Sequence, residues 1–459
     1  MSMFKWDVVD PQPGEAVGPR QRLPWGKTVG IGAQHVVAMF GATFVFPIVM
    51  GLDPNLAIMF SGICTIMFLL IVKNMVPSYL GTSASFVAGV AAIRNQGGDS
   101  ADVTGAILVA GLVLALVGVI VHFSGSGLIH KVFPPAVTGA VVMLIGFALA
   151  PVVANIYWPQ DQWVALLTVT FMVLAAVLLP GFWARIAVFL ALIFGYVLSW
   201  LFDAVFGTIN SVVPALGADA TEHDRLWAWD NVKAADWVGF PSGTLSDGVD
   251  VVHGPSFSLT FILLVLPGVI ALIAENTGHV KAVAEMTGED LDPYMGRAIG
   301  ADGLATALAS AFGGSPTTTY AENIGVMGAT RVYSTAAYYV AAVIAILLGL
   351  CPKFGAIVNA TPGGVLGGIT VVLYGMIGLV GAKIWVENQV DFGDPVNLVG
   401  LAGGIIAGIG GVTLKITDDF SLSGIALGTI MVIVYYHLVN RGGRRTGSHR
   451  GADEVTKAL

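Results

Sequence analysis

One stretch constrains the fold of this chain more than any other. Residues 313–331 read GGSPTTTYAENIGVMGATR, a polar, glycine-rich run that lies among long apolar segments. In hydrocarbon every backbone amide needs an internal partner, so a run this poor in helix formers cannot face lipid. We expect a short extended piece leading into a half-helix, with Glu322 beside a polar cavity. A second such stretch, residues 77–90 (PSYLGTSASFVAGV), predicts a membrane transporter built from two related halves.

Composition is that of a membrane protein. The chain is 56% hydrophobic and only 11% charged, with a mean hydropathy of +0.82. So few charges cannot cover a soluble globule of 459 residues. The net charge of −8 and the dispersed basic residues argue against nucleic-acid binding. Cys64 and Cys351 lie in or beside apolar segments, which favours buried structural thiols over a disulfide or metal site.

The predicted fold is an all-α polytopic membrane protein with fourteen segments. These start near residues 28, 55, 78, 104, 134, 163, 185, 257, 295, 315, 334, 362, 395 and 421. A polar insert divides them into seven and seven, and an odd number per half forces inverted repeats. The expected units are a soluble leader (1–27), a first repeat (28–206), an acidic insert (207–255), a second repeat (256–440) and a basic disordered tail (441–459).

Charge placement predicts the orientation. With both termini in the cytoplasm, most of the 21 Lys and Arg residues fall on the cytoplasmic side, as the positive-inside rule requires. The acidic insert then lies outside. The expected location is the cell membrane, crossed many times.

Four groups of polar or ionisable residues fall within predicted spans, where such residues are costly and indicate function. They are Gln34–His35 in segment one, Glu275 with His279 in segment eight, Asp302 in segment nine, and Glu322–Asn323 in segment ten. Segments one and eight are equivalent in the two halves, as are three and ten. This correspondence favours a shared site near the membrane midplane.

Structural alternatives exist for three of these groups. Glu275 and His279, four residues apart on one helix face, can form a structural pair. His35 can satisfy a neighbouring carbonyl, and Asp302 can serve a helix contact or cap as readily as transport. Glu322 follows a helix-breaking run where no structural role calls for a carboxylate, so it is the strongest candidate.

The residue types indicate the ligand. Two carboxylates favour a ligand with N–H donors or a cation, and amides at half-helix N-termini, after Gly81 and after Ala321, favour carbonyl oxygens. A small planar cyclic imide or amide offers both. A protonatable Glu275–His279 pair would allow coupling to protons, although the residue types leave sodium coupling open.

These motifs resemble those of a known family. ENIGVMGATR, with Asn323, Gly325, Thr330 and Arg331 in pattern, resembles the signature of the nucleobase–cation symporter-2 family, also called nucleobase–ascorbate transporters. The Gln34–His35 pair and AENTGH match two further family motifs in order and spacing. The similarity runs from about residue 23 to 381 and more loosely to 439. QHVVAMFGAT, MGLDPN, DPYMGRA and TTYAENIGVM look most like the bacterial uracil permeases.

The resemblance implies an architecture and an activity. Segments one to four and eight to eleven would form a core domain, and the others a gate domain. Segments three and ten would contain short antiparallel strands that cross near the midplane. Relatives carry out proton-coupled nucleobase uptake, often as homodimers. No cofactor is implied beyond the coupling ion, and no covalent chemistry.

The resemblance also implies roles for individual residues. Glu275 and Glu322 would hydrogen-bond the base, His279 would support Glu275 in proton coupling, and His35 would brace this network. The other candidate binding residues are Ala42, Ser83, Ala84, Phe86, Tyr320, Ala321 and, from the gate side, Tyr374.

The chain departs from the family pattern at two positions. Ala84 stands where some uracil permeases have a Phe that packs on the base, with Phe86 two residues on. Ala321 stands where Gly is common, which narrows the backbone approach. Glu322, rather than Gln, favours uracil over xanthine and urate by analogy.

The predicted function is therefore proton-coupled import of uracil, with thymine or other pyrimidines as further substrates. A purine permease of the same family is the nearest alternative. An anion exchanger or channel is a second, because sulfate-type anion transporters share this fold. A membrane-embedded enzyme is the third; the sequence contains carboxylates for acid–base chemistry but no metal-ligand cluster or nucleophile motif.

Overall fold

The computed structural model describes residues 4–12, 15–125, 127, 133–213, 219–416 and 421–446. Helices account for most of these residues, which include seventeen α-helices of six residues or more. They are α1 (Trp25–Met50), α2 (Pro54–Ile71), α3 (Val87–Asn95), α4 (Ser100–Ser124), α5 (Pro135–Phe147), α6 (Gln162–Leu178), α7 (Ala187–Phe206), α8 (Trp229–Ala234), α9 (Leu259–Val265), α10 (Pro267–Thr287), α11 (Asp292–Ser310), α12 (Ala321–Thr330), α13 (Thr335–Gly349), α14 (Pro352–Asn359), α15 (Gly363–Glu387), α16 (Pro395–Ile409) and α17 (Gly424–Thr446).

The strands of the described residues are short and form two-stranded pairs. β1 (Asp7–Val8) pairs in parallel with β2 (Gln21–Arg22), and the other three pairs are antiparallel. These are β3 (Leu80–Thr82) with β6 (Thr317–Thr319), β4 (Ile209–Ser211) with β5 (Thr221–His223), and β7 (Thr413–Lys415) with β8 (Ser421–Ser423).

Helix length and composition are those of a protein that crosses a membrane several times. Within the described residues, seven helical stretches are long and apolar enough to span, with residues 135–160 and 259–287 each counted as one stretch. There are eight if the bent pair α13–α14 also counts as one. Three more apolar helices have 10–17 residues. The half-helices α3 and α12 have nine and ten residues, about 15 Å at most, which is half of a bilayer's hydrocarbon core. Fourteen spans and the inverted repeat therefore stay predictions.

The most extensive helix contacts fall into two sets. One joins α4 with α11, α2 with α13 and α1 with α13; the other joins α16 with α17 and α15 with both α5 and α6. The first set lies within the predicted core domain and the second within the predicted gate domain.

The contact between α4 and α11 depends on glycine. A Cβ built on Gly118 would lie 2.2 Å from the backbone nitrogen of Gly300, and one on Gly303 would lie 2.3 Å from that of Ala115. The two backbones therefore touch, as small residues permit between membrane helices. This close packing explains why α11 is so rich in Gly and Ala, and it fixes the helix that carries Asp302.

The pair β3–β6 lies at the centre of the site. Leu80, Gly81 and Thr82 pair with Thr319, Thr318 and Thr317, and all six residues are buried. The antiparallel strands predicted for segments three and ten are thus present. Because each strand leads into a half-helix, α3 and α12 start at opposite ends of a ladder about 10 Å long.

The structure describes part of each predicted terminal unit, the leader and the basic tail. The described part of the leader packs against the end of α12 and the start of α13. Val17 exchanges backbone hydrogen bonds with Arg331 and Tyr333, at 2.9 and 2.7 Å, and Trp6 Nε1 donates to Thr335 Oγ1 at 2.9 Å. At the other end, α17 continues through residues 441–446. The rest of the predicted basic tail, 447–459, lies outside the described residues.

Candidate functional site

The N-terminus of α12 opens without a side-chain cap. Tyr320 precedes it in an extended conformation, and the first helical bond runs from the amide of Ile324 to the carbonyl of Tyr320 at 3.2 Å. The first amides of a helix have no intrahelical partner. Here Ala321 is exposed and Glu322 is half-buried. These amides and a carboxylate therefore border accessible space.

One face of α10 presents the second carboxylate. Glu275, Gly278 and His279 are spaced three and four residues apart, so they share a face. Glu275 and His279 are half-buried, whereas Gly278 is exposed, and a Cβ built on it would meet nothing within 4 Å. Glu275 lies within electrostatic reach of Glu322 and of Asp302. The two predicted glutamates can thus interact electrostatically, and Gly278 is exposed on the same helix face as Glu275.

His279 makes its hydrogen bond to the strand pair. Its Nδ1 lies 2.7 Å from Thr319 Oγ1, which in turn donates to Asn276 Oδ1 at 3.4 Å. Asn276 Nδ2 donates to Asp302 Oδ2 at 2.6 Å. This chain of contacts connects His279 on α10, through β6, to a fully buried carboxylate on α11.

The hydrogen bond from Asn276 to Asp302 joins α10 to α11 at the residue next to Glu275. Asp302 therefore makes a helix–helix contact beside the site. Sequence reasoning missed Asn276 and Thr319. Asn276 could have been predicted from the sequence, since it lies inside the AENTGH motif. Thr319 has no sequence signal beyond a run of three threonines.

Tyr320 fixes the strand pair to α1. Its hydroxyl donates to the carbonyl of Thr82 at 2.8 Å and accepts from Thr43 Oγ1 at 3.2 Å. A Cβ on Gly81 would lie 2.4 Å from the ring of Tyr320, so only glycine fits there. Tyr320, with 4% of its surface exposed, therefore acts on the backbone around the site. Thr43, its partner on α1, was not predicted.

His35 on α1 is fully buried and contacts α12. Asn323 Nδ2 lies 3.2 Å from His35 Nδ1 and donates to the His35 carbonyl at 3.0 Å. The imidazole packs on Tyr338, with ring centroids 4.3 Å apart. His35 thus braces the half-helix at Asn323, next to Glu322. Its neighbour Gln34 is half-buried.

Segment three supplies residues 83–86. Ser83 is buried and its hydroxyl accepts from the amide of Ser85 at 3.2 Å, which caps the short 3-10 turn Ala84–Phe86 that leads into α3. Ala84 is half-buried. Phe86 is fully buried, and its ring packs against Gly268 of α10. Phe86 therefore fills the core between α3 and α10.

The remaining predicted residues lie on α1, on α15 and along α12. Ala42 on α1 is buried. Tyr374 on α15 borders a cavity of about 450 Å³, lined also by Phe147, Val153 and Trp158, and its buried hydroxyl has no hydrogen-bond partner among the described residues. At the end of α12, Thr330 Oγ1 donates to the Val326 carbonyl at 2.9 Å. Gly325 is half-buried within α12, and Arg331, with φ of 54°, ends the helix.

The carboxylates of the site have no basic partner in the described part of the chain. The salt bridges there include none of Glu275, Asp302 and Glu322. Nor do the described residues contain a group of three or more His, Cys, Asp or Glu that could hold a metal ion. Cys64 and Cys351 are free. The site is therefore suited to a ligand that donates hydrogen bonds.

Sequence comparison places the chain among known permeases. The model of the permease family Xan_ur_permease matches residues 26–417. An Escherichia coli (strain K12) protein named as pyrimidine permease RutG is 42% identical over 432 residues, which cover 93% of this chain and 92% of that protein. The uracil permease of Bacillus caldolyticus is 34% identical, covering 89% and 91%. The predicted resemblance to the bacterial uracil permeases is confirmed.

Solved structures share the fold at low sequence identity. The transmembrane domain of the cyanobacterial bicarbonate transporter BicA matches with a TM-score of 0.52 and 14% identity, covering 90% of this chain and 96% of that one. SLC26A9 matches with a TM-score of 0.58 and 12% identity, covering 90% of this chain and 64% of that one. The family match and the relatives together decide the class: the chain belongs to the Xan_ur_permease permease family and is a multi-pass membrane transporter, not an enzyme.

Proposed function

We propose that this permease imports uracil, and with lower preference other pyrimidines, in symport with protons. The observation that carries the proposal is the meeting of two glutamates at an uncapped helix N-terminus. Glu275 on α10 lies within electrostatic reach of Glu322 in the first turn of α12. The relatives named as uracil and pyrimidine permeases support the substrate class.

The binding mode follows from complementary hydrogen bonding. Uracil has two ring N–H groups and two carbonyl oxygens on a flat ring. The carboxylates of Glu275 and Glu322 accept from the N–H groups, and an amide in the first turn of α12 donates to a carbonyl. The ring lies against Gly278, where the absence of a side chain leaves room.

Proton coupling assigns a second task to the same groups. Glu275 lies within electrostatic reach of Asp302 and Glu322, and none of the three forms a salt bridge among the described residues. A proton on Glu275 therefore relieves repulsion within the site. His279 is hydrogen-bonded to Thr319 and stands one turn from Glu275. A proton on Glu275 or His279 changes the hydrogen-bond donors and acceptors available to uracil. Binding of the proton and binding of uracil are therefore coupled.

Transport then requires movement of the site between the two sides of the membrane. The two sets of helix contacts support a core, carrying α10 and α12, that moves against a gate containing α5 and α15. In this proposal the halves are inverted repeats, both termini are cytoplasmic, and the protein works in the cell membrane as a homodimer.

A competition experiment tests the substrate. Purified protein is incubated with radiolabelled uracil and an excess of unlabelled uracil, thymine or xanthine. We expect displacement by uracil, weaker displacement by thymine, and little by xanthine. Strong displacement by xanthine alone would move the assignment to purines and contradict the proposal.

Anion exchange is the second candidate, favoured by the fold shared with BicA and SLC26A9. It predicts anion flux that survives Glu322→Gln. The two glutamates of the site argue against it, because they repel an anionic substrate.

A further inference from the structure

The C-terminal end of the first half-helix is held by an unusually dense set of contacts. Arg94, in the last turn of α3, donates to five acceptors. These are Asp247 Oδ2 at 2.6 Å, Ser100 Oγ at 2.8 Å, and the carbonyls of Met50, Gly51 and Gly98 at 3.1, 3.4 and 3.5 Å. One side chain thus connects α3 to the end of α1, the start of α4 and the acidic insert.

Asp247, from the insert, completes this arrangement. Its Oδ2 accepts from the amide and the hydroxyl of Ser100 at 2.7 and 2.6 Å, in addition to Arg94. Its Oδ1 accepts from the amide of Val249 at 3.2 Å. The side chains of Arg94 and Asp247 are 25% and 21% exposed, so the charge pair is largely shielded from water. Hydrogen bonds between charged groups are about twice as strong as neutral ones.

The other end of the same half-helix lies at the site. Residues 84–86 form a 3-10 turn that leads into α3 and follows β3, which pairs with β6. That turn rests on α10: a Cβ on Gly268 would lie 2.8 Å from the carbonyl oxygen of Ser85. Because α3 is a short rigid rod of nine residues, a shift at Arg94 displaces residues 83–86 against the helix that carries Glu275.

We propose that Asp247 and Arg94 are positioning residues for the substrate site. By fixing the outer end of α3 to α1, α4 and the insert, this clamp of Arg94, Ser100 and Asp247 sets the location of residues 83–86 and thereby the affinity for substrate. The insert is then part of the transport machinery although it contributes no residue to the site. The identity of the ligand used in the test rests on the proposed function.

The test compares Asp247→Asn with Asp250→Asn in the full-length protein. Asp250 lies in the same insert and contacts His253 and Thr244 through its backbone, so it is a matched control. Two quantities are measured in detergent: the Kd for radiolabelled uracil and amide hydrogen exchange of peptides covering residues 80–95. We expect Asp247→Asn to weaken uracil binding about tenfold and to accelerate exchange in both halves of this segment. Asp250→Asn should match the wild type in both.

Each result decides the proposal. Wild-type affinity in Asp247→Asn with faster exchange only at residues 87–95 would make the clamp merely structural and overturn it. If Asp247→Asn does not fold, Ser100→Ala removes one donor to the carboxylate, and we expect a two- to threefold weaker affinity, roughly a few tenths of a kcal/mol; no change would overturn the proposal. If the wild type binds no uracil, the proposed function fails, and exchange at residues 80–86 alone decides whether the clamp positions the site.

Discussion

Gly278→Ala should raise the thermal stability of the protein and lower its affinity for substrate, so the two effects can be told apart. Gly278 lies inside α10, is exposed, and has open space where a Cβ would stand. Replacing a helical glycine by alanine where the methyl fits stabilises the fold by about 0.5–1 kcal/mol. For a chain of this length we expect Tm to rise by about 1–2 °C.

The same methyl should harm substrate binding. It extends about 1.5 Å from the backbone into the space beside Glu275 and His279, where the uracil ring is proposed to lie. Moving a flat ring by that distance lengthens its hydrogen bonds to the carboxylates beyond the useful range. The loss of one such bond to a charged group corresponds to a Kd roughly tenfold or more higher.

Stability is measured as the Tm of thermal unfolding, monitored by fluorescence. Affinity is measured on the same preparation by scintillation-proximity binding of radiolabelled uracil. Gly30→Ala is the matched control: Gly30 is exposed in α1 and also has nothing within 4 Å of a built Cβ. It should stabilise without weakening binding. A Gly278→Ala protein that is stabilised and binds uracil with wild-type affinity would refute the placement of the ligand on this face of α10.

Four further predictions address the site and the clamp. Glu322→Gln should abolish uptake with little change in Tm, since the substitution is near-isosteric in a polar opening; normal uptake by the folded variant would remove Glu322 from the site. Glu275→Gln should remove the pH dependence of uracil binding, which a wild-type pH profile would contradict. Tyr320→Phe loses the hydrogen bond to the Thr82 carbonyl and should lower Tm by a few degrees and weaken binding severalfold; an unchanged Tm would show that the bond contributes nothing. Partial burial opposes ionisation of Asp247, but hydrogen bonds from Ser100 and Arg94 outweigh it and lower its pKa to about 2, from an ordinary 3.8. The ionised group therefore contributes stability above about pH 4 that is lost as pH falls through 2, so the Tm difference between wild type and Asp247→Asn should shrink between pH 5 and pH 2.5.

The interrupted segments could be predicted because their cause is local. A run such as GGSPTTTYAEN cannot remain helical in hydrocarbon, so a strand and a half-helix follow from composition and from the solvent. The pairing of β3 with β6 could be predicted only through the resemblance, since nothing in two distant polar runs specifies their register. The approach of Glu275 to Glu322 follows from that pairing.

Contacts between sequence-distant residues account for what was missed. The i, i+4 rule predicts a Glu275–His279 pair, but tertiary packing places Thr319 2.7 Å from the imidazole. Arg94 and Asp247 are 153 positions apart, and each has the appearance of an ordinary surface charge in the sequence. Phe86, which was predicted from its sequence position two residues after Ala84, is buried against Gly268; its part in binding stays a prediction.

Uptake of radiolabelled uracil into proteoliposomes, with and without an inward proton gradient, tests the central claim most directly. We predict accumulation that requires the gradient, collapses with a protonophore, and is absent from Glu322→Gln proteoliposomes prepared in parallel. Equal uptake with and without the gradient would contradict proton coupling. No uracil uptake by folded protein that takes up xanthine would contradict the assigned substrate.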